Sequence, residues 1–209
     1  MAILKNGPNG GLSGKFGSVV GYPLNGQDIV RGLPKKRRKK AGAREQANRD
    51  KFGQMQMWLR PLLEFLRIGF KGYAPTFQGF VAAKSYNSKH AFVQQEDGSF
   101  FIDPALALVS YGPDPLPIEM SMKLENNEIV FNWSKEGSYS GSDQAMLLVY
   151  IPGAKRGIKN LAAARRIEGT AKLQLPKFFA GKEVHAYIAF VRYDQSSQTN
   201  SFYLGSVTP

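Results

Sequence analysis

Residues 118–209 contain six short apolar runs that are separated at regular intervals by turn-forming residues. The runs are IEMSMKL, EIVFNW, AMLLVYI, EGTAKLQL, EVHAYIAFVRYD and SFYLGSV. The turns between them carry Asn126-Asn127, the stretch 137–142, Gly153, Gly181 and the segment DQSSQTN. Several short strands with turn signals at this spacing are typical of an all-β sandwich or barrel. We therefore predict that residues 118–209 form an all-β domain.

A long helix is predicted over residues 43–70, because apolar side chains recur there at steps of three and four. The apolar stripe consists of Phe52, Met55, Leu59, Leu62, Leu66 and Phe70. Pro61 lies inside this helix and has no backbone N–H, so we expect a kink or a break there. Gly69 and Gly72 are expected to end the helix.

The first 33 residues are rich in glycine and asparagine and indicate a β-hairpin near 17–32 after a glycine-rich lead. Asn25-Gly26 separates two apolar runs, and this dipeptide favours the tight turn of a hairpin. Because a lone two-stranded hairpin is marginally stable in water, it must lean on the rest of the chain or on a neighbouring subunit.

The middle of the chain is less regular. FQGFVAAKSYNSKHAFV fits either a short helix or a strand, and GSFFIDPALALVSYGPDPLP indicates a strand, a turn and a second strand. The prolines at 113, 115 and 117 suggest a domain boundary. We predict a basic N-terminal region over 1–117 and an all-β domain over 118–209. The fold class is mainly β with one long, kinked helix and an N-terminal hairpin arm.

The positive charge of the chain is concentrated in its first third. Residues 1–72 hold 15 Lys and Arg against 4 Asp and Glu, a surplus of 11, whereas residues 73–209 hold 13 against 12. Such an asymmetry is typical of a basic arm on a neutral body. Contact with a polyanion and a solvated linker are equally good interpretations. If the segment binds a polyanion, its candidate residues are Arg31, Lys35, Lys36, Arg37, Arg38, Lys39, Lys40, Arg44 and Arg49.

Two stretches of the C-terminal half resemble a fibronectin type III or immunoglobulin-like sandwich. EIVFNW ends in Trp133, and LQLPKFFAGKEVHAYIAFV places Tyr187 after a leucine, a proline and a bend. The resemblance implies that Trp133 is buried and that the Tyr187 hydroxyl closes the corner between two strands by bonding to backbone. It needs no disulfide, in keeping with a chain that has no cysteine.

The whole chain resembles a family of uncharacterised Bacteroidota proteins described only as a domain of unknown function. The matching pieces are ILKNGPNGGLSGKFGSVVGY, VRGLPKK, ANRDKFGQMQMWLRPLLEFLRIGFKGY and SFYLGSV. The resemblance implies no activity and no functional residues. It implies an association with mobile or phage-like elements, which favours a structural role.

The sequence offers little that indicates catalysis. GPNGGLSGKFG differs from a phosphate-binding loop, because Asn9 replaces the first glycine and Phe16 replaces the Ser or Thr after the lysine. His90 and His185 are the only histidines, and neither has a second ligand at metal-binding spacing. Asp143, Glu168 and Asp194 form no pair that the sequence reveals. We therefore predict no enzyme activity, no cofactor and no metal.

The leading hypothesis is a self-assembling subunit of a filament, a phage-like particle or a virion-like particle, whose basic arm faces a polyanion or a neighbouring subunit. The alternative is a non-specific nucleic-acid-binding protein that acts through Lys35–Lys40. A sandwich module that recognises carbohydrate or peptide is a third interpretation. Without a secretory signal or an apolar span, the chain is expected in the cytoplasm or in a released particle, with no membrane contact.

Overall fold

A computed structural model describes the backbone of residues 2–3 and residues 10–24, 26–35, 40–73 and 79–209 in full. The chain forms two compact units, Met1–Ala43 and Arg44–Pro209. None of the described helices is both long enough and apolar enough to cross a membrane.

The N-terminal unit is a small antiparallel sheet of four strands in the order β1–β4–β3–β2. The strands are β1 (Ala2–Ile3), β2 (Gly14–Phe16), β3 (Val19–Leu24) and β4 (Gln27–Gly32). Strands β3 and β4 pair from Val19 opposite Gly32 to Leu24 opposite Gln27, which confirms the hairpin. The hairpin is not alone, because the glycine-rich lead adds β1 and β2 to its edges. Gly21 is required in β3, since a side chain there would collide with the carbonyl group of Leu12.

The predicted long helix is confirmed, and it is interrupted at the predicted proline. It consists of α1 (Ala43–Leu59), a 3₁₀ turn (Arg60–Leu62) that contains Pro61, and α2 (Leu63–Gly69). Five members of the apolar stripe are at most 1% exposed. Phe52 is the exception at 56% exposed, because the first three turns of α1 bury no side chain.

The segment between the helices and the sandwich contains α3 (Gly79–His90) and a hairpin of β5 (Phe92–Gln94) and β6 (Phe100–Ile102). The stretch that fitted either a helix or a strand is therefore helical over most of its length. The second strand predicted after Pro104 is wrong. Two of its backbone N–H groups bond to side chains instead of to a neighbouring strand: the Leu108 N–H donates to Asn87 Oδ1, and the Val109 N–H donates to Ser201 Oγ.

The C-terminal part is a sandwich of two antiparallel sheets. One sheet has the order β11–β8–β7 and the other has the order β10–β9–β12–β13. Their strands are β7 (Met120–Glu125), β8 (Glu128–Trp133), β9 (Gln144–Ile151), β10 (Arg156–Arg165), β11 (Thr170–Gln174), β12 (Val184–Val191) and β13 (Phe202–Val207). Six of these strands match the predicted runs. The prediction missed β10, whose sequence RGIKNLAAAR is polar and rich in alanine rather than in β-branched residues.

The sandwich sheet β10–β9–β12–β13 is covered on both faces, and this decides the architecture of Arg44–Pro209. Along β9, Leu147 and Val149 point into the core between the sheets, whereas Met146, Leu148 and Tyr150 pack against the helices. The apolar stripe of α1 and α2 fills the second core. The sequence suggested a boundary at residue 117, but these helices share a core with the sheet and belong to the same compact unit.

Two aromatic side chains test the details of the sandwich. Trp133 is 5% exposed, as expected, and its Nε1–H donates to the Arg166 carbonyl at 2.6 Å. The expectation for Tyr187 is wrong. It faces the helical layer rather than the corner of the sandwich, and its hydroxyl donates to the Pro104 carbonyl at 2.7 Å. The hydroxyl therefore joins the middle segment to the sheet.

Candidate functional site: the basic segment, the N-terminal sheet and an arginine cleft

The structure describes five of the nine predicted polyanion-binding residues. Lys36, Arg37, Arg38 and Lys39 lie outside the described residues. Lys35, Lys40 and Arg44 are exposed, and none of the three forms an ion pair within the described part of the chain.

The other two predicted cations already have intramolecular partners. Arg31 lies in β4 with its guanidinium carbon 5.5 Å from the centre of the Tyr22 ring. Arg49 bonds to Glu45 one helical turn away, with Nη2 and Oε1 2.8 Å apart. Both side chains remain exposed, so these contacts leave them accessible to a partner. The available cations therefore flank the basic run on both sides.

The N-terminal sheet has almost no apolar core. Ile29 is the one buried apolar side chain among the residues of this unit whose side chains are described. Leu12, Phe16 and Leu24 are 37–46% exposed. The outer strands are short, with β1 pairing over two residues and β2 over three. As far as the structure describes it, this unit therefore presents exposed apolar side chains and strand edges that are paired over only part of their length.

An open cleft of about 570 Å³ lies at one end of the sandwich, and it was not singled out from the sequence. Its walls include Asp114, Tyr139, Asp143, Arg166, Arg192 and Tyr193. Arg192 binds Asp114 through two hydrogen bonds of 3.2 Å, so these two charges neutralise each other. Tyr193 is 74% exposed and presents its ring at the mouth of the cleft.

Arg166 is the most unusual residue of the cleft, because its side chain is charged and its exposure is only 1%. Its Nη1–H donates to the Pro115 carbonyl at 2.8 Å, and its guanidinium carbon lies 4.5 Å from the centre of the Tyr139 ring. Burial lowers the pKa of the Arg166 guanidinium, and the nearby Asp143 carboxylate opposes this shift.

Two polar atoms of the cleft have no hydrogen-bond partner within the described chain. They are Nε of Arg166 and Oδ1 of Asp143, and both are buried. The other carboxylate oxygen, Oδ2 of Asp143, accepts from the Ser140 N–H at 3.2 Å. Arg166 could not be found from the sequence, since it follows Arg165 in a polar stretch and only the tertiary packing distinguishes the two.

The other titratable candidates lie apart from this cleft or at its edge. His185 is half-buried in β12, and its Nδ1 lies 2.9 Å from the Tyr203 hydroxyl. Burial lowers the pKa of His185. His90 is exposed at the end of α3. Asp194 lines the cleft and accepts from Ser196, whereas Glu168 accepts from the Arg165 N–H and closes a short turn.

The glycine-rich lead has a different geometry from a phosphate-binding loop. Lys15 is exposed in β2, and β3 follows it where a phosphate-binding loop requires the start of a helix. Among the described residues, no group of three or more histidine, cysteine or carboxylate side chains is placed to hold a metal ion.

A comparison with curated proteins finds no match to the chain. A comparison with protein-family models matches residues 11–205 to a family of unknown function, DUF6266. The match covers both compact units except for the ends of the chain. It includes β2, the N-terminal hairpin, the helices and all seven strands of the sandwich, apart from the last two residues of β13. The chain therefore belongs to the DUF6266 family of unknown function.

Proposed function

We propose that the protein is a non-enzymatic structural subunit that assembles with copies of itself into a filament or a phage-like or virion-like particle. The observation that carries this proposal is that Ile29 is the single buried apolar side chain among those of the N-terminal unit that the structure describes. Burial of one isoleucine contributes about 1.5–3 kcal/mol. Fixing the backbone costs roughly 1–2 kcal/mol for each ordered residue. The sheet therefore needs a further apolar surface to cover it, and a neighbouring copy supplies one.

The strand edges of this unit support the same proposal. Unpaired strand edges are templates for pairing with another chain, and proteins that remain monomeric usually block them. On the edge that faces away from β3, β4 pairs with β1 over two residues. On the edge that faces away from β4, β3 pairs with β2 over three residues. Addition of a strand from a neighbouring copy would complete the ladder and cover Phe16 and Leu24 at the same time.

Light scattering coupled to size-exclusion chromatography tests this proposal. The full chain should elute as an oligomer whose mass rises with concentration. Replacing the exposed Phe16 and Leu24 together by serine should shift the equilibrium toward the monomer. Leu124→Ser is the matched control, because Leu124 is exposed to a similar extent (36%) on the sandwich. A wild-type chain that stays monomeric at the highest attainable concentration contradicts the proposal.

We further infer that the sandwich is of the fibronectin type III kind. Seven antiparallel strands in sheets of three and four support this inference, as does the buried Trp133 at the end of its second strand. The contact of Tyr187 with Pro104 departs from the pattern. An origin in Bacteroidota, which the resemblance implied, stays a prediction.

The alternative function is non-specific binding of nucleic acid through Lys35–Lys40. Lys35, Lys40 and Arg44 are exposed and form no ion pair with another described residue, which favours it. If all six residues of the run contact phosphates, the slope of log K against log salt should be on the order of −5 on duplex DNA. Replacing the run by serine and glutamine should abolish binding and leave the fold intact.

A control variant with the same loss of positive charge distinguishes DNA binding by the basic segment from attraction of DNA to the net charge of the protein. Six exposed lysines of the other unit can be replaced in the same way, namely Lys123, Lys135, Lys155, Lys172, Lys177 and Lys182. This control should bind DNA nearly as well as the wild type. Equal loss of binding in both variants, or binding indifferent to salt, contradicts a role for the basic segment.

A further inference from the structure

We propose that the cleft around Arg166 and Asp143 binds a neutral ligand rich in hydroxyl groups, of the size of a mono- or disaccharide. This inference is independent of assembly through the N-terminal sheet, because every residue of the cleft belongs to Arg44–Pro209. The cleft volume, about 570 Å³, lies in the range of small-molecule sites.

The unpartnered atoms define the hydrogen bonds that the ligand must make. Nε of Arg166 is a buried donor, and Oδ1 of Asp143 is a buried acceptor. Leaving such groups unsatisfied costs about 1–3 kcal/mol each, and more when they are charged. The backbones of the two residues are held next to each other, since the backbone N–H of Arg166 donates to the backbone carbonyl of Asp143 at 2.6 Å. A hydroxyl group both donates and accepts, so neighbouring hydroxyls on one ligand satisfy both atoms.

The charges of the cleft favour a neutral ligand. Arg192 and Asp114 neutralise each other, the Asp143 carboxylate acts on the Arg166 guanidinium, and a further carboxylate, that of Asp194, lines the cleft. A phosphate or a carboxylate ligand would be repelled by these two acidic groups. An ammonium group would be repelled by Arg166. A polyol avoids both costs, and its hydrogen bonds to the charged groups are stronger than bonds between neutral partners.

The walls of the cleft offer the other surfaces that a sugar requires. The Tyr193 ring at the mouth can pack against the apolar face of a sugar ring, and its exposure of 74% shows that its surface is available. Ser138, Ser140 and Ser142 line the same cleft and can supply hydroxyl groups to a ligand. Aromatic surfaces with a few polar groups that fix orientation are typical of small-molecule sites.

The stretch 137–142 forms the outer wall and can open to admit a ligand. Its hydrogen bonds are local and mostly exposed, as in the bond between the hydroxyls of Ser140 and Ser142, and the bond from the Ser140 N–H to Asp143 Oδ2 is partly buried. The Tyr139 hydroxyl donates to Lys135, four residues earlier. Segments held by exposed local bonds open at low cost in free energy. Small displacements of this wall expose the buried atoms of Arg166 and Asp143 to the cleft.

Ligand-observed NMR and titration calorimetry on the full chain test the proposal. The probes are glucose, galactose, mannose, maltose and cellobiose, with inorganic phosphate and spermidine as charged controls. At least one sugar should bind with a dissociation constant below about 1 mM, and the charged probes should not compete with it. Asp143→Asn removes the charge of the acceptor and should weaken sugar binding tenfold or more, since a hydrogen bond to a charged group is lost.

A second pair of variants keeps the test decisive if Asp143→Asn does not fold. Tyr193→Ala changes an exposed side chain at the mouth and should abolish sugar binding. Phe202→Ala removes an aromatic ring that is 42% exposed outside the cleft and should leave binding unchanged. Absence of binding by all five sugars overturns the proposal. Binding that Tyr193→Ala leaves intact, or binding of phosphate or spermidine in place of sugar, overturns it as well.

Discussion

The stability of the sandwich sheet β10–β9–β12–β13 is predicted to depend on the side chains that pack against both of its faces. Two neighbouring leucines in this sheet test the prediction directly. Leu147 and Leu148 lie side by side in β9 and are both fully buried. Leu147 points into the core between the sheets, whereas Leu148 points into the core shared with the helices. Each is replaced by alanine, so the chemical change is identical and only the layer differs.

The expected loss of stability follows from burial. Leu→Ala at a fully buried site destabilises a protein by about 2–5 kcal/mol, through lost transfer free energy and the cavity left behind. A domain of this size loses about 2–4 °C in Tm for each kcal/mol. Both variants should therefore lower Tm by about 4–20 °C. If β9 were covered on one face alone, Leu148→Ala would be a surface change and would cost about 0.5 kcal/mol or less.

Denaturation in urea with tryptophan fluorescence provides the assay. The chain has two tryptophans, with Trp58 in the helical core and Trp133 in the core between the sheets. Single-tryptophan variants therefore report on each layer separately. Because both layers pack on one sheet, the two probes should report coincident transitions. Each leucine variant should move both transitions to lower urea by a similar amount.

Three outcomes would refute the reasoning. The first is a Leu148→Ala variant as stable as the wild type while Leu147→Ala is strongly destabilised, because the helices would then not cover this sheet. The second is a separate transition for the Trp58 probe at lower urea, because the helical layer would then be an independent unit. The third is a control, Leu124→Ala, that is as destabilised as the buried variants although Leu124 is 36% exposed.

Further predictions concern a buried hydroxyl, a histidine and a glycine. Tyr150→Phe should cost about 1–3 kcal/mol in denaturant titrations, because the backbone carbonyl that accepts its buried hydroxyl at 2.9 Å loses its partner. Burial lowers the pKa of His185 below its usual 6.5, so the unfolded chain binds a proton first as the pH falls. The free energy of unfolding should therefore decline from about pH 6.5 downward, with a shallower decline in His185→Gln but not in the exposed control His90→Gln. Gly112→Ala should lower Tm, since its new methyl group would collide with the Gln198 carbonyl and overpacking costs about 1–3 kcal/mol; an unchanged Tm would show that the backbone can yield there.

Several elements could be predicted because their signals are local. The helix stripe from Met55 to Phe70, the interruption at Pro61 and the hairpin around Asn25-Gly26 all follow from residues close together in the chain. Six strands of the sandwich were recognisable for the same reason. Strand β10 was not, because its alanines and polar residues carry no strand signal and its place depends on pairing with β9.

The candidate functional surfaces also differ in whether the sequence reveals them. The basic run from Lys35 to Lys40 can be recognised from the sequence, since the charges along a chain can be counted without knowing its fold. The cleft of Arg166 cannot be recognised in this way, because its residues come from segments as far apart as Asp114 and Tyr193. Nothing near Arg166 in the sequence indicates that its guanidinium is buried against two aromatic rings.

The sequence by itself determined six strands of the sandwich, the N-terminal hairpin, the interrupted helix and the separation of charge, since each depends on the propensity, periodicity or charge of neighbouring residues. Only the tertiary structure decided that the helices cover the outer face of a sandwich sheet and that Tyr187 bonds to Pro104 instead of closing a corner. The uninterrupted apolar run AMLLVYI fits a strand buried on both faces, but it cannot name the layer that covers each face. That choice depends on contacts between residues about ninety positions apart, such as the Tyr150 hydroxyl and the Trp58 carbonyl.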